Sequence, residues 1–355
     1  MHKDSLKFLE ALHLASSPTG SEIPAKKVFR EYLKNYADRF ESDTIGNTIA
    51  VLSGSKPKGS ILLAGHIDEV GVMVKYIDEK GFIFFSAVGG IDPAVLPGKR
   101  VVFEKNGKKI VGVLGKKPIH LLDAKDRDKA VQMEDLFIDI GCNSKKEAAK
   151  LLELGDTGVT SYGLEYLPND LAVARGFDDR IGAFIIAETL KNLSSHKKNL
   201  AYTVYATATT QEEIGLRGAS VCAFNLKPDL AIALDVTHAI DYPNVEKKKF
   251  GDINLGKGGV IPKGPNIHPW IYTNLVSVAK KSKIPYQVNA LPRPAGNDSN
   301  VIQITRGGIP VGVVAIPLRY MHTPSEVLSL KDVENIIRLL TDFILGLKEK
   351  VNFNW

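Results

Sequence analysis

The chain has 355 residues, 44% hydrophobic and 24% charged, an ordinary globular composition with ample material for a buried core. Its 46 basic and 40 acidic side chains leave a formal charge of +6, scattered along the chain with no aromatic-basic motif, so nucleic-acid binding is not indicated. No apolar run approaches the ~18 residues that suggest a membrane span, and Met1-His2-Lys3-Asp4 lacks the apolar stretch of a signal peptide. These features predict a cytoplasmic protein without membrane partners. Cys142 and Cys222 form no CxxC, which argues against a zinc ribbon and reads as two reduced, half-buried thiols rather than a disulfide.

In chain order, Asp4 is placed to cap a helix carrying Leu6, Leu9 and Leu12, and Val28, Phe29, Tyr32, Leu33 and Tyr36 fall at the spacing of a second helix. The apolar run Ile61-Leu62-Leu63-Ala64 then ends abruptly in Gly65-His66-Ile67-Asp68. From about residue 70 to 163 the texture is β-rich, with turn signals at Lys80-Gly81 and Asn106-Gly107. The second of these predicts a hairpin with a type I′ turn. Ser144 and Glu147 suggest a capping box for a short helix that Gly155 closes. Beyond residue 164, helix and strand patterns alternate: a helix over 180–193, strands at 202–209, 230–234 and 311–316, and a final helix over 331–347. The near-continuous apolar run at 230–234 suits a sheet covered on both faces. This organisation predicts an α/β fold, a mixed central sheet covered by helices, interrupted by an inserted β-barrel-like domain. The expected boundaries are 1–68 and 164–355 for the α/β body and 69–163 for the insertion.

Five motifs place ligating or acid–base side chains beyond strand ends: His66, Asp178, Glu213, Asp235 and His322. In open α/β sheets, sites form outside the carboxyl ends of the strands, so these five are expected to converge. Two histidines and three carboxylates suit a pair of divalent cations, one carboxylate bridging. Asp68 is placed to hold the other nitrogen of His66, and Glu212 is a candidate general base. Each motif alone has a bland alternative. Asp178-Asp179 would serve as a helix N-cap, Asp235 would cap a strand-end turn, and Glu212-Glu213 would be a solvated face. Taken together, ionisable ends on several apolar strands are a poor way to build a surface.

The ordered motifs Gly-His-Ile-Asp-Glu-Val-Gly (65–71), Phe-Asp-Asp-Arg-Ile-Gly (177–182), Gln-Glu-Glu-Ile-Gly-Leu-Arg-Gly-Ala (211–219), Leu-Asp-Val-Thr (234–237) and Arg-Tyr-Met-His-Thr-Pro-Ser-Glu (319–326) resemble the tetrahedral, glutamyl-aminopeptidase-like metallopeptidase family. Segments of the insertion, 88–93 and 118–122, are similar to the family too. The resemblance implies a zinc-aminopeptidase-like core with two zinc or cobalt ions. One ion takes His66 and Asp235, the other Glu213 and His322, with Asp178 between them, Glu212 as base and Asp68 orienting His66. It further implies peptide substrates and homo-oligomers, dimers assembling into a tetrahedral dodecamer through the insertion. Two segments depart from the family pattern, Gly296-Asn297-Asp298 and the stretch Thr237 to Pro243, so substrate preference transfers less readily than chemistry.

The expected reaction is removal of N-terminal residues by activated water. Rivals on the same core are a carboxypeptidase or an N-acyl amino acid deacylase, for which Arg293 or Arg319 would supply the cation. A glycosidase is a further rival, since family members have carried endoglucanase labels, but the two histidines argue against it. His120, His238 and His268 read as structural or pocket-lining, with His120 a candidate to reach a neighbouring subunit's site. Gly256-Lys257-Gly258-Gly259 reads as a flexible turn rather than a phosphate loop.

Overall fold

The computed structural model describes residues 1–353. Its body is an eight-stranded mixed sheet in the order Arg39–Ser42, Thr48–Ser53, Tyr202–Thr209, Gly59–His66, Leu230–His238, Val311–Leu318, Gly259–Lys263 and Tyr286–Ala290. From Tyr202–Thr209 to Val311–Leu318 the four central strands run parallel. They can sit at the centre because they are apolar on both faces. In Gly59–His66, Ile61 and Leu63 enter one core cluster while Leu62 and Ala64 enter another on the opposite face. The helices Lys3–Leu14, Ile23–Leu33, Phe177–Ser194, Pro269–Lys281 and Leu330–Gly346 contribute to the first cluster; Arg217–Leu226 and Ser299–Gln303 contribute to the second.

A closed antiparallel barrel is built from Gly71–Ile77, Ile83–Val88, Phe137–Asp139, Lys108–Gly115, Arg100–Lys105 and Thr157–Thr160, with its own core around Val72, Phe85, Val101, Phe103, Leu114 and Ile138. The Asn106-Gly107 turn has φ of 51° and 73°, the doubly positive signature of a type I′ hairpin.

Several local expectations change. Lys3–Leu14 starts a residue ahead of Asp4, which lies in the first turn and makes no capping bond. The second helix begins at Ile23, with Pro24 in its first turn, and stops short of Tyr36. Ser144 does accept from the Glu147 N–H at 3.3 Å, but the helix covers only Lys145–Ala148, and the Glu147 carboxylate reaches the N–H of Asn143 instead of closing the box. Both cysteines are free, and Cys222 is fully buried rather than half-buried. The glycine turn at 256–259 is pinned rather than flexible: the N–H groups of Gly256 and Gly258 each donate to Asp332 at 2.7 Å. Leu171–Ala174 forms a separate antiparallel sheet with Glu165–Leu167 and Glu326–Ser329. Among the described residues, no helix is long and apolar enough to cross a membrane.

Candidate metal centre

His66 is the last residue of Gly59–His66 and is 2% exposed. Asp178 and Asp179, joined by a cis peptide bond, follow the left-handed Gly176 at the start of Phe177–Ser194. Asp178 therefore approaches from the small antiparallel sheet rather than from a parallel strand. Asp235 lies inside Leu230–His238 rather than beyond its end. Glu212 and Glu213 sit in the loop after Tyr202–Thr209. Buried Asn47 staples that loop by accepting from Thr210 N at 3.0 Å and donating to Gly218 O at 2.8 Å. His322 occupies a turn after Val311–Leu318, with φ of 59°.

These routes bring all five predicted ligands together. Asp178 Oδ1 is 3.1 Å from His66 Nε2, and its Oδ2 is 3.1 Å from His322 Nε2. Glu213 Oε1 is 3.4 Å from His322 Nε2 and has no hydrogen bond. Ligand atoms of Asp178, Glu213 and His322 lie within 4.8 Å of one another, as do those of His66, Asp179 and Asp235. Glu212 Oε2 is 3.8 Å from His66 Nε2. The other imidazole nitrogen, Nδ1, is 3.1 Å from the backbone oxygen of Asp68 and 3.5 Å from its carboxylate. That carboxylate also accepts from Thr19 Oγ1 at 2.8 Å and from the N–H groups of Glu212 and Glu213 at 3.1 and 3.3 Å. Asp68 thus organises the Glu212-Glu213 backbone as well as His66.

The electrostatics call for positive charge. Burial pushes Glu212 up to about 8, and the carboxylates of Asp298, Glu213 and Asp178 add to the rise. Burial also raises Asp235 and Glu213, with Asp178 contributing at both and Asp179 at Asp235. Asp178 goes the other way: burial opposes ionisation, but hydrogen bonds from His322 and His66 outweigh it and lower its pKa. His322 is pushed up to about 11 by Asp178 and Glu213. Burial works against charging His66, yet Glu212, Asp178 and Asp68 together raise its pKa. Two imidazoles cannot neutralise this many carboxylates, and Glu213 Oε1 is buried without a donor. The donor set of two imidazoles and several carboxylates fits divalent cations of the zinc type.

Three acids outside the predicted ligand and base set hold the site in place. Glu326, 2% exposed, accepts from the Asp178 N–H at 3.0 Å with one oxygen and from the His322 N–H at 2.8 Å with the other. Asp179 accepts from His66 N at 3.2 Å and from Gly182 N at 3.1 Å. Glu69 pairs with fully buried Arg180 and, at 3.2 Å, with Arg175, tying the residue after Asp68 to the helix that begins at Phe177. All three are visible in the motifs, but their partners are backbone groups or residues distant in sequence.

A cavity of about 580 Å³ opens on this cluster, and Asp178, Glu212, Glu213, Asp235 and His322 are among the residues that line it. His238 and Asn297 also line it, while His120 is exposed on the turn Ile119–Leu121. His268 caps the helix Pro269–Lys281 by accepting from Trp270 N at 3.2 Å. Asp298, in the first departing segment, is buried and accepts from Thr209 Oγ1 at 2.6 Å; Asp241, in the second, pairs with Arg319 at 2.8 Å.

A buried carboxylate–imidazole cluster at the carboxyl end of a parallel-cored sheet, in a chain that also carries a closed barrel, has the donor set of a hydrolase site able to hold divalent cations. The chain belongs to the M42 glutamyl aminopeptidase family, whose profile matches residues 46–339, and it is a peptidase. It is 37% identical over 320 residues to the lysyl aminopeptidase of Pyrococcus furiosus, covering 90% of each chain. Its fold is similar to that of the TET aminopeptidase of the marine-sediment archaeon Thaumarchaeota archaeon SCGC AB-539-E09, with TM-score 0.92, 34% identity and 97% of each chain covered. It is also similar to the TET1 peptidase of Pyrococcus horikoshii, described as assembling into a tetrahedron or a large octahedral shell (TM-score 0.85, 28% identity, covering 97% of this chain and 100% of that one).

Proposed function

We propose that the protein is a binuclear metallo-aminopeptidase that removes N-terminal residues from peptides. The observation that carries this reading is Asp178, whose two oxygens each face a different histidine at 3.1 Å, the disposition of a carboxylate shared between two cations. His66 and Asp235 would hold one zinc or cobalt ion, Glu213 and His322 the other. Such cations supply Lewis acidity, polarising the scissile carbonyl and acidifying water. Glu212, beside His66 and open to the cavity, takes the proton and returns it to the leaving amine. Asp68 orients His66 and fixes the Glu212 backbone.

No arginine or lysine lines the cavity among the described residues, which disfavours a carboxypeptidase or deacylase that must grip a substrate carboxylate. Arg319 is engaged by Asp241. The barrel, with its separate core, supports division into a body of 1–68 and 164–355 and an insertion of 69–163. Assembly into a homo-oligomer, a dodecamer through that insertion, and a cytoplasmic location complete the reading.

Glu212→Gln tests it. Turnover of aminoacyl chromogenic substrates should fall roughly 10²–10⁴-fold, with bound zinc, measured by elemental mass spectrometry, nearly unchanged. Full activity in Glu212→Gln, or activity that survives exhaustive chelation, would overturn the mechanism. Preference for N-blocked peptides over free ones would overturn the aminopeptidase assignment.

A further inference from the structure

Beside the acidic cluster, the cavity has a wall of different chemistry: Val236, Val260, Pro262, Leu291, Val313 and Ala315. Three of its strands explain this. Leu230–His238, Val311–Leu318 and Gly259–Lys263 lie side by side in the sheet and present apolar residues to the cavity. Val260, Val313 and Ala315 are themselves buried, in a small core cluster with Ala233, Ile253 and Ile267. The wall is therefore part of a packed core and cannot turn a polar group inward without disrupting it. Leu291 is held against Lys263, whose backbone oxygen accepts the Leu291 N–H at 2.9 Å.

Lys263, Arg293 and Arg319 lie near this wall in sequence, and none of them lines the cavity. Lys263 Nζ lies 5.5 Å from the centre of the Tyr272 ring, and Arg319 is paired with Asp241. The acids in the lining are Asp178, Glu212, Glu213 and Asp235, all members of the metal cluster. Thr237 and Asn289 offer hydrogen bonds but no formal charge, and His238 is exposed at the end of its strand. An acidic or basic side chain against the wall would be desolvated with no partner, whereas an apolar one would exchange water for aliphatic contacts.

We propose that this wall receives the side chain of the substrate's N-terminal residue and selects uncharged, apolar residues of leucine, methionine or phenylalanine size. The inference rests on the aminopeptidase reading and adds its substrate class. A cavity of about 580 Å³ admits such a side chain together with the start of the peptide.

The test is a panel of leucyl, methionyl, phenylalanyl, alanyl, glutamyl and lysyl p-nitroanilides with the zinc- or cobalt-loaded full chain. The assay is run at pH 8, above the range in which ordinary imidazoles carry charge. The expected kcat/KM for the leucyl, methionyl or phenylalanyl substrate exceeds those for the glutamyl and lysyl substrates by at least about tenfold. Leu291→Arg should then raise the glutamyl-to-leucyl ratio at least about tenfold by placing a cation on the wall. Asn289→Arg serves the same purpose from the adjoining strand if the first variant does not fold. A wild-type enzyme that cleaves the glutamyl or lysyl substrate as well as the apolar ones overturns the proposal. So does a folded, active arginine variant with an unchanged ratio. Failure to cleave any member of the panel overturns the aminopeptidase reading, and this inference with it.

Discussion

Replacing Glu326 with alanine should damage the candidate metal centre without touching any proposed ligand. The Glu326 carboxylate is buried and accepts from the backbone N–H groups of Asp178 and His322, at 3.0 and 2.8 Å. It therefore sets the distance between two residues that come from different segments, one at a helix start and one in a turn with φ of 59°. A buried N–H deprived of its acceptor costs about 1–3 kcal/mol, so losing both would cost roughly 2–6 kcal/mol. Burial and the negative charge of Asp178 raise the Glu326 pKa, so truncation also relieves some repulsion, which favours the low end of that range. Urea unfolding of the cation-free protein measures the stability loss, and competition against a chromogenic zinc chelator measures affinity. We expect a loss of about 2–3 kcal/mol and zinc binding weakened about 10–100-fold. Glu326→Gln keeps one acceptor oxygen and should recover about half of the stability. If Glu326→Ala unfolds within about 0.5 kcal/mol of wild type and binds zinc within about twofold, the carboxylate is not the clamp described.

Two further outcomes follow from buried groups. Burial and the nearby Arg180 charge lower the His13 pKa to about 3, so the folded state excludes a proton that the unfolded chain takes up near 6.5. The stability this neutral imidazole permits is complete above pH 6.5 and is lost progressively as pH falls toward 3. Between pH 7 and pH 5 the loss is about 2 kcal/mol. His13→Gln should show a pH 7-to-5 loss in urea unfolding smaller than wild type by that amount, and equal losses would refute the assignment. Gly182→Ala should lower the melting temperature and weaken zinc binding. The new Cβ would stand 2.2 Å from Asp179 Oδ2, the atom that accepts from His66 N, although alanine in a helix ordinarily adds about 1 kcal/mol. A melting temperature at or above wild type would show that the helix accommodates the methyl group.

Much of the chemistry is legible in the sequence by itself. His66, Glu212, Glu213 and His322 follow or end strongly apolar strands, and an ionisable side chain in such a place carries information that local packing cannot account for. The barrel was readable for a similar reason: the Asn106-Gly107 turn and its flanking β-branched runs are local signals that hold wherever the hairpin lies. Tertiary structure alone decides the rest. Leu171–Ala174 looks like a core strand, yet it pairs with Glu326–Ser329 across more than a hundred residues, because strand pairing depends on which backbone donors meet and not on composition. The same pairing brings Glu326 beneath Asp178 and His322. Asp179, Glu69 and Asn47 are ordinary polar residues until the fold sets their carboxylates or amide against particular backbone groups and arginines. The family motifs therefore specify which side chains meet at the candidate metal centre, while long-range hydrogen bonds decide how firmly they are held there.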